Sequence, residues 1–184
     1  MKNTLNHLRE ILNSFEALLS QDSSEETLKQ FLKENPLLID PTAKEIRVEH
    51  PLGSEYRIDF VVIHESDVGL LYTLVELEKA TCRLFTQAEE ELTRELRHAI
   101  QQVEDWQEWI EENISYAERT GLAGIRLPRG VIVIGRSLTL TEKMRRRLRR
   151  KNLHSGGRLT IMTYDGLLLA CKNLLNNLEL PYEA

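Results

Sequence analysis

The chain has 184 residues, 29 % of them charged, and a formal net charge of -5. That length suits one domain with a sizeable core and is short for two. The acidic balance excludes a surface coated in basic charge, and two distant cysteines, Cys82 and Cys171, exclude a disulfide framework or zinc spacing and suit a reducing cytoplasm.

Met1–His7 lacks the apolar run of a signal peptide, and no stretch is long enough to span a bilayer, so the expectation is a cytoplasmic protein without a membrane partner. Leu5, Leu8, Ile11, Leu12, Phe15, Leu18 and Leu19 recur at helical spacing, which predicts an amphipathic helix within residues 1–22. It packs on the domain or on a partner copy, so a homo-oligomer stays open. Residues 23–184 form the domain proper. Ser23 and Glu26 fit a capping box for a second helix carrying Leu28, Phe31 and Leu32, which stops before Pro36.

Glu45–Pro51 reads as a strand, and Gly53-Ser54 turns the chain into a second, Tyr56–Ile63. After the polar break 64–69, the run from Leu70 to Lys79 supplies a third. Ala80–Thr86 is a crossing loop, and a long helix is predicted from about Gln87 to Glu118. Its stripe is Leu92, Leu96, Ala99, Val103, Trp106 and Ile110, bordered by Glu95, His98, Gln102 and Trp109. Gly121–Gly130 is a loop, Val131–Ile134 a buried strand, Ser137–Asn152 a helix, Arg158–Tyr164 a strand, and Asp165-Gly166 opens a last helix. That order predicts an α/β domain, a mixed sheet of about five strands flanked by helices.

Three acids interrupt the apolar strands. On regular strands Ile58, Phe60 and Val62 share one face, Asp59, Val61 and Ile63 the other, and Leu74, Glu76 and Glu78 line up together. A buried unpaired carboxylate costs several kcal/mol, so Asp59, Glu76 and Glu78 must be protonated, ion-paired or bound to a cation. Arg47, Arg57 and Arg83 are the candidates for plain ion pairing. The metal reading expects Mg²⁺ or Mn²⁺, hard ions that take oxygen ligands and leave room for phosphate.

The helix 137–152 carries Lys143, Arg145, Arg146, Arg147, Arg149, Arg150 and Lys151 with few opposite charges at helical spacing. This is the expected footprint for a DNA backbone. The competing arrangement sets it against the acidic residues Glu89, Glu90, Glu91 and Glu95.

Asp59, followed one strand later by Glu76-Leu77-Glu78, resembles the PD-(D/E)XK nuclease pattern. The runs around both, Ile58–Val62 and Leu74–Lys79, resemble the nuclease domain of the Shedu anti-phage defence family, from about Glu26 to the last helix. The resemblance implies a PD-(D/E)XK-like fold and a metal-dependent endonuclease that nicks or cleaves DNA. It implies Asp59 and Glu76 as metal ligands, joined by Glu26 from the opening helix, and Glu78 as proton acceptor or outer ligand. Ala99–Trp106 resembles the family's Gln-x-x-x-Tyr element with Trp in place of Tyr, which implies that Gln102 positions DNA or the metal shell. One departure stands out: the usual motif residue at position 78 is Lys, and this chain has Glu. Lys79 is the nearest cation, but on a regular strand it faces away from Glu76 unless a bulge re-aims it. The rival class is a DNA-binding or assembly module of the same fold without turnover.

Overall fold

Apolar side chains on both faces of one sheet divide the chain into three layers. The computed structural model describes residues 2–21, 23–88 and 91–179. Helices α1 (Lys2–Ser20) and α2 (Glu25–Glu34) precede strands β1 (Glu45–Leu52), β2 (Tyr56–Ser66) and β3 (Gly69–Leu77). There follow α3 (Arg94–Glu112), α4 (Ile114–Arg119), β4 (Arg129–Val133), α5 (Glu142–His154), β5 (Leu159–Met162) and α6 (Tyr164–Glu179). The five strands lie in the order β1-β2-β3-β4-β5. The first three pair antiparallel, and β3-β4-β5 pair parallel, so the sheet is mixed as the element order implied.

One core sets Val61, Leu74 and Ile132 of the sheet against Leu96, Ala99, Val103 and Trp106 of α3. The other sets Phe60, Val62, Val75 and Val133 against α1, α2 and α6. Helix α1 is part of that second core, for Leu12, Phe15 and Leu19 are buried in it and Phe15 stacks on Phe31 of α2 at 5.8 Å. Arg136 ties the same corner together, bonding the Leu19 carbonyl and holding Asp165 at 2.9 Å.

Several boundaries differ from the sequence-based expectation. The N-cap of α2 is Ser24, not Ser23, and its hydroxyl accepts from the Thr27 amide. The long helix begins at Arg94 rather than near Gln87, where the Thr93 side chain caps it, and Leu92 just before it pairs with Phe85 in an isolated bridge. It breaks at Asn113 before α4. Glu89 and Glu90 lie outside the described residues. Helix α5 starts at Glu142, where the Thr141 hydroxyl accepts from Met144, and a short 3-10 turn fills Ser137–Thr139. No helix among the described residues is long and apolar enough to cross a membrane.

Candidate active site

The strict alternation expected for β2 fails at the residue that matters most. Val61 and Ile63 pack with Ile58 on the α3 side, while Phe60 and Val62 pack on the α2 side. Ile58 therefore does not share a face with Phe60 and Val62, and the parity changes across Asp59. The change coincides with an irregularity on the neighbouring strand. The ladder with β1 runs Val48↔Phe60 and then His50↔Ile58, and between them Glu49 takes a φ of 51°. Such a value is uncommon for a residue with a side chain and marks a local irregularity. The ladder with β3 ends at Phe60↔Val75. Beyond it, the Leu77 amide donates to Asp59 Oδ2 at 3.0 Å, so a carboxylate replaces a main-chain acceptor where the strands part.

Asp59 and Glu76 are brought together there, both buried, at 5 % and 7 % exposure. The charge of Asp59 is felt at Glu76 together with those of Lys29, Glu78 and Glu25. Burial, then the Asp59 charge, pushes the Glu76 carboxyl up to about 9. Its Oε2 is buried with no hydrogen-bond partner. Glu78 lies just past β3, half-buried, with its amide donating to the Val133 carbonyl at 2.9 Å. Burial raises its carboxyl, as does Glu25, whereas His98 opposes the rise.

None of the three arginines considered for ion pairing performs it. Arg47 bonds Glu45 at 2.7 Å and the Gly121 carbonyl at 2.6 Å, and Arg57 and Arg83 are exposed. The cation at Asp59 is Lys29 of α2, whose ammonium contacts Asp59 Oδ1 directly. Burial pulls the Lys29 ammonium down, but the hydrogen bond and charge of Asp59, with Glu76 and Glu25, outweigh it and leave it raised.

The face that α2 turns to the sheet decides which of its acids reaches the site. Glu26 is exposed, whereas Glu25 is half-buried and its charge reaches Glu76, Glu78 and Lys29. One residue of helical phase, about 100°, separates the two. Lys79 is exposed, and its carbonyl accepts from Gly135 at 3.1 Å in the loop beyond the strand. Gln102 is half-buried on α3, one turn beyond His98. Tyr164, at the first turn of α6, donates its hydroxyl to the Glu78 carbonyl at 2.7 Å and fixes the strand end.

Sequence reasoning missed Lys29, Glu25 and Tyr164. The only signal for Lys29 was its place beside Leu28 on a helix whose buried residues are Leu28 and Leu32.

Helix α5 bears the basic residues as expected, with Lys143, Arg145, Arg146, Arg149 and Arg150 exposed. Arg147 lies over the Phe85 ring at 5.8 Å, Arg149 meets Glu142 at 3.2 Å, and Arg145 donates to the Ser137 carbonyl at 2.8 Å. Arg147, Arg150 and Lys151 line a cleft opposite Glu104, Glu108 and Glu111 of α3. The acids facing this helix are thus later in the chain than Glu91 and Glu95.

Among the described residues, no group of three or more His, Cys, Asp or Glu side chains is arranged to hold a metal ion. The oxygen donors that converge are two, Asp59 and Glu76, with one orphaned carboxylate oxygen between strands that have parted. Two carboxylates fit a magnesium-type ion, which takes one or two from protein and the rest from water and substrate.

A family model described as "Shedu protein SduA, C-terminal" matches residues 22–168. The chain belongs to this family. Membership of the Shedu SduA C-terminal family supports a role in anti-phage defence. The match takes in α2, all five strands and the start of α6, and so contains Lys29, Asp59, Glu76, Glu78 and the basic helix. No curated protein matches the chain.

Proposed function

We propose that this Shedu-family domain is a metal-dependent DNA endonuclease with a PD-(D/E)XK-type site, acting in the cytoplasm. The supporting observation is the buried Glu76 carboxyl beside Asp59, raised to about 9 and with one oxygen unpartnered. Such a group is costly unless a proton or a cation occupies it. Asp59 and Glu76 would hold Mg²⁺ or Mn²⁺, with Glu25 rather than the exposed Glu26 adding negative charge behind them. The ion supplies Lewis acidity toward the phosphate oxygens.

The remaining roles belong to the chain. Tyr164 and the Leu77 amide hold the strand end and the Asp59 carboxylate in place. Attack by water forms one P–O bond as the bond to the leaving oxygen breaks. Glu78, half-buried with its carboxyl raised, takes the proton that water loses, and the leaving oxygen is protonated from solvent. Gln102 positions the scissile strand, and Lys143, Arg145, Arg146, Arg147, Arg149 and Arg150 hold the DNA backbone without reading sequence.

Supercoiled plasmid with Mg²⁺ or Mn²⁺ tests the proposal. The native protein is expected to nick it, and Asp59→Ala and Glu76→Ala to lose about a thousandfold or more, a common scale for losing a ligand of a catalytic centre. No metal-dependent product from the native protein rejects the hydrolase.

DNA affinity is a separate expectation. Arg145→Gln, Arg146→Gln and Arg149→Gln together remove three exposed cations and should lower the slope of log K against log salt by about two to three. An unchanged slope removes α5 from the DNA interface.

The second reading, a binding module without turnover, has its own support. Lys29 satisfies Asp59 without a metal, and position 78 is an acid. It predicts salt-sensitive DNA binding with no cleavage.

A further inference from the structure

Strands β2 and β3 and their immediate exit bring three acids to the site, Asp59, Glu76 and Glu78, and one cation, Lys79, which is exposed though its charge reaches Glu78. Helix α2 adds a fourth acid in Glu25. Four carboxylates repel a phosphodiester, which is itself anionic, so a hydrolase built this way needs a fixed cation of its own besides any bound ion. The strand position two residues after Glu76 would ordinarily be a place for one, but it holds Glu78. Lys79 points out to solvent, and Arg47 is consumed by Glu45 and Gly121.

The geometry points to Lys29 as the catalytic cation of this site, an ammonium delivered from α2 rather than from β3 that contacts the reacting phosphate while it holds Asp59. The inference rests on the endonuclease reading above. Three features support it. The ammonium sits directly on Asp59 Oδ1, while the other oxygen, Oδ2, is held by the Leu77 amide, so the pair is oriented and not a loose surface contact. The Lys29 side chain keeps 21 % exposure against 6 % for Asp59, so the lysine is the more accessible partner of the pair to an arriving strand of DNA. Its backbone is anchored, because Leu28 and Leu32 on the same helix are fully buried and Lys33 pins the helix to Glu49 of β1 at 2.8 Å. An ammonium has three donors, so one can remain on Asp59 while another meets a phosphate oxygen. Lys29 stays protonated throughout and forms no covalent bond.

The test compares native protein, Lys29→Gln and Lys29→Arg for plasmid nicking at saturating Mn²⁺ and for Mn²⁺ binding by calorimetry, with melting curves as the check on folding. Glutamine can still donate to Asp59, which protects the fold. Lys29→Gln is expected to nick at least a hundredfold more slowly while binding Mn²⁺ as tightly or more tightly, since the ion loses a competitor for Asp59. Lys29→Arg keeps a cation at this position and should nick at least tenfold faster than Lys29→Gln. A purely structural Lys29 would give neither the split between metal affinity and rate nor the rescue.

Near-native nicking by Lys29→Gln overturns the assignment, as does Mn²⁺ binding weakened tenfold or more, which would make Lys29 a builder of the ion site. Should Lys29→Gln melt far below the native protein, Lys29→Arg decides, and its inactivity when folded overturns the proposal. Native protein that never nicks sinks the endonuclease reading itself. Active native protein with active Lys29→Gln sinks the role of Lys29 alone.

Discussion

Glu76→Gln is expected to make the metal-free protein more stable and to abolish metal-dependent nicking. The two effects share one cause. In the folded chain burial, then the Asp59 charge, holds the Glu76 carboxyl up to about 9, against an ordinary value of 4.5. Between those values the folded state keeps a proton that the unfolded state has released. The folded form therefore binds more protons, and stability falls as pH rises through the window from about 4.5 to about 9. Glutamine carries no charge to desolvate, so the variant should show a flatter pH profile and gain roughly 2 kcal/mol or more at pH 9. Urea midpoints for both proteins at pH 5, 7 and 9 measure this. Parallel profiles would mean that Glu76 does not carry the burden described.

The same carboxyl links pH to the cation. A divalent ion must displace the proton from Glu76, so in the native protein the apparent Mn²⁺ affinity should climb with pH, by up to about tenfold per unit below the folded value. In Glu76→Gln that dependence should vanish along with most of the binding.

Phe15→Ala carries the largest expected cost in stability. Phe15 is fully buried, stacks on Phe31 of α2, and shares its core with Leu28, Leu32 and α6. Truncating a buried phenylalanine costs about 3–5 kcal/mol, from lost transfer energy and the cavity left behind. For a domain of this size that corresponds to a fall in Tm of about 10 °C. A loss below about 1 kcal/mol would show that α1 detaches freely. The consequence reaches the site, because α1 backs the helix that carries Glu25 and Lys29. Phe15→Ala should therefore lower nicking at temperatures well below its own melting point, where Lys29 is less firmly placed.

The amino-acid sequence by itself determined the layout. Helical spacing from Leu5 to Leu19, the apolar run Val131–Ile134 and the strand-turn-strand pattern from Tyr56 to Leu77 depend on side chains a few residues apart, and local periodicity captures them. The pairing of Asp59 with Glu76 was legible for the same reason, because acids on adjacent apolar strands have few places to go. The family resemblance rested on those same residues.

Tertiary structure alone decided the rest. The parity change at Asp59 falls opposite an irregular residue, Glu49, on a different strand, and alternation within β2 does not reveal it. The choice of Glu25 over Glu26 turns on which face of α2 packs on the sheet, for Glu25 lies one turn before Leu28 and Lys29. The cation that answers Asp59 lies 30 positions earlier in the chain, one of two lysines on an amphipathic helix. Its selection depends on which face of α2 meets the gap between β2 and β3. Electrostatic pairing acts through space, and only the packing of α2 on the sheet brings those charges within reach.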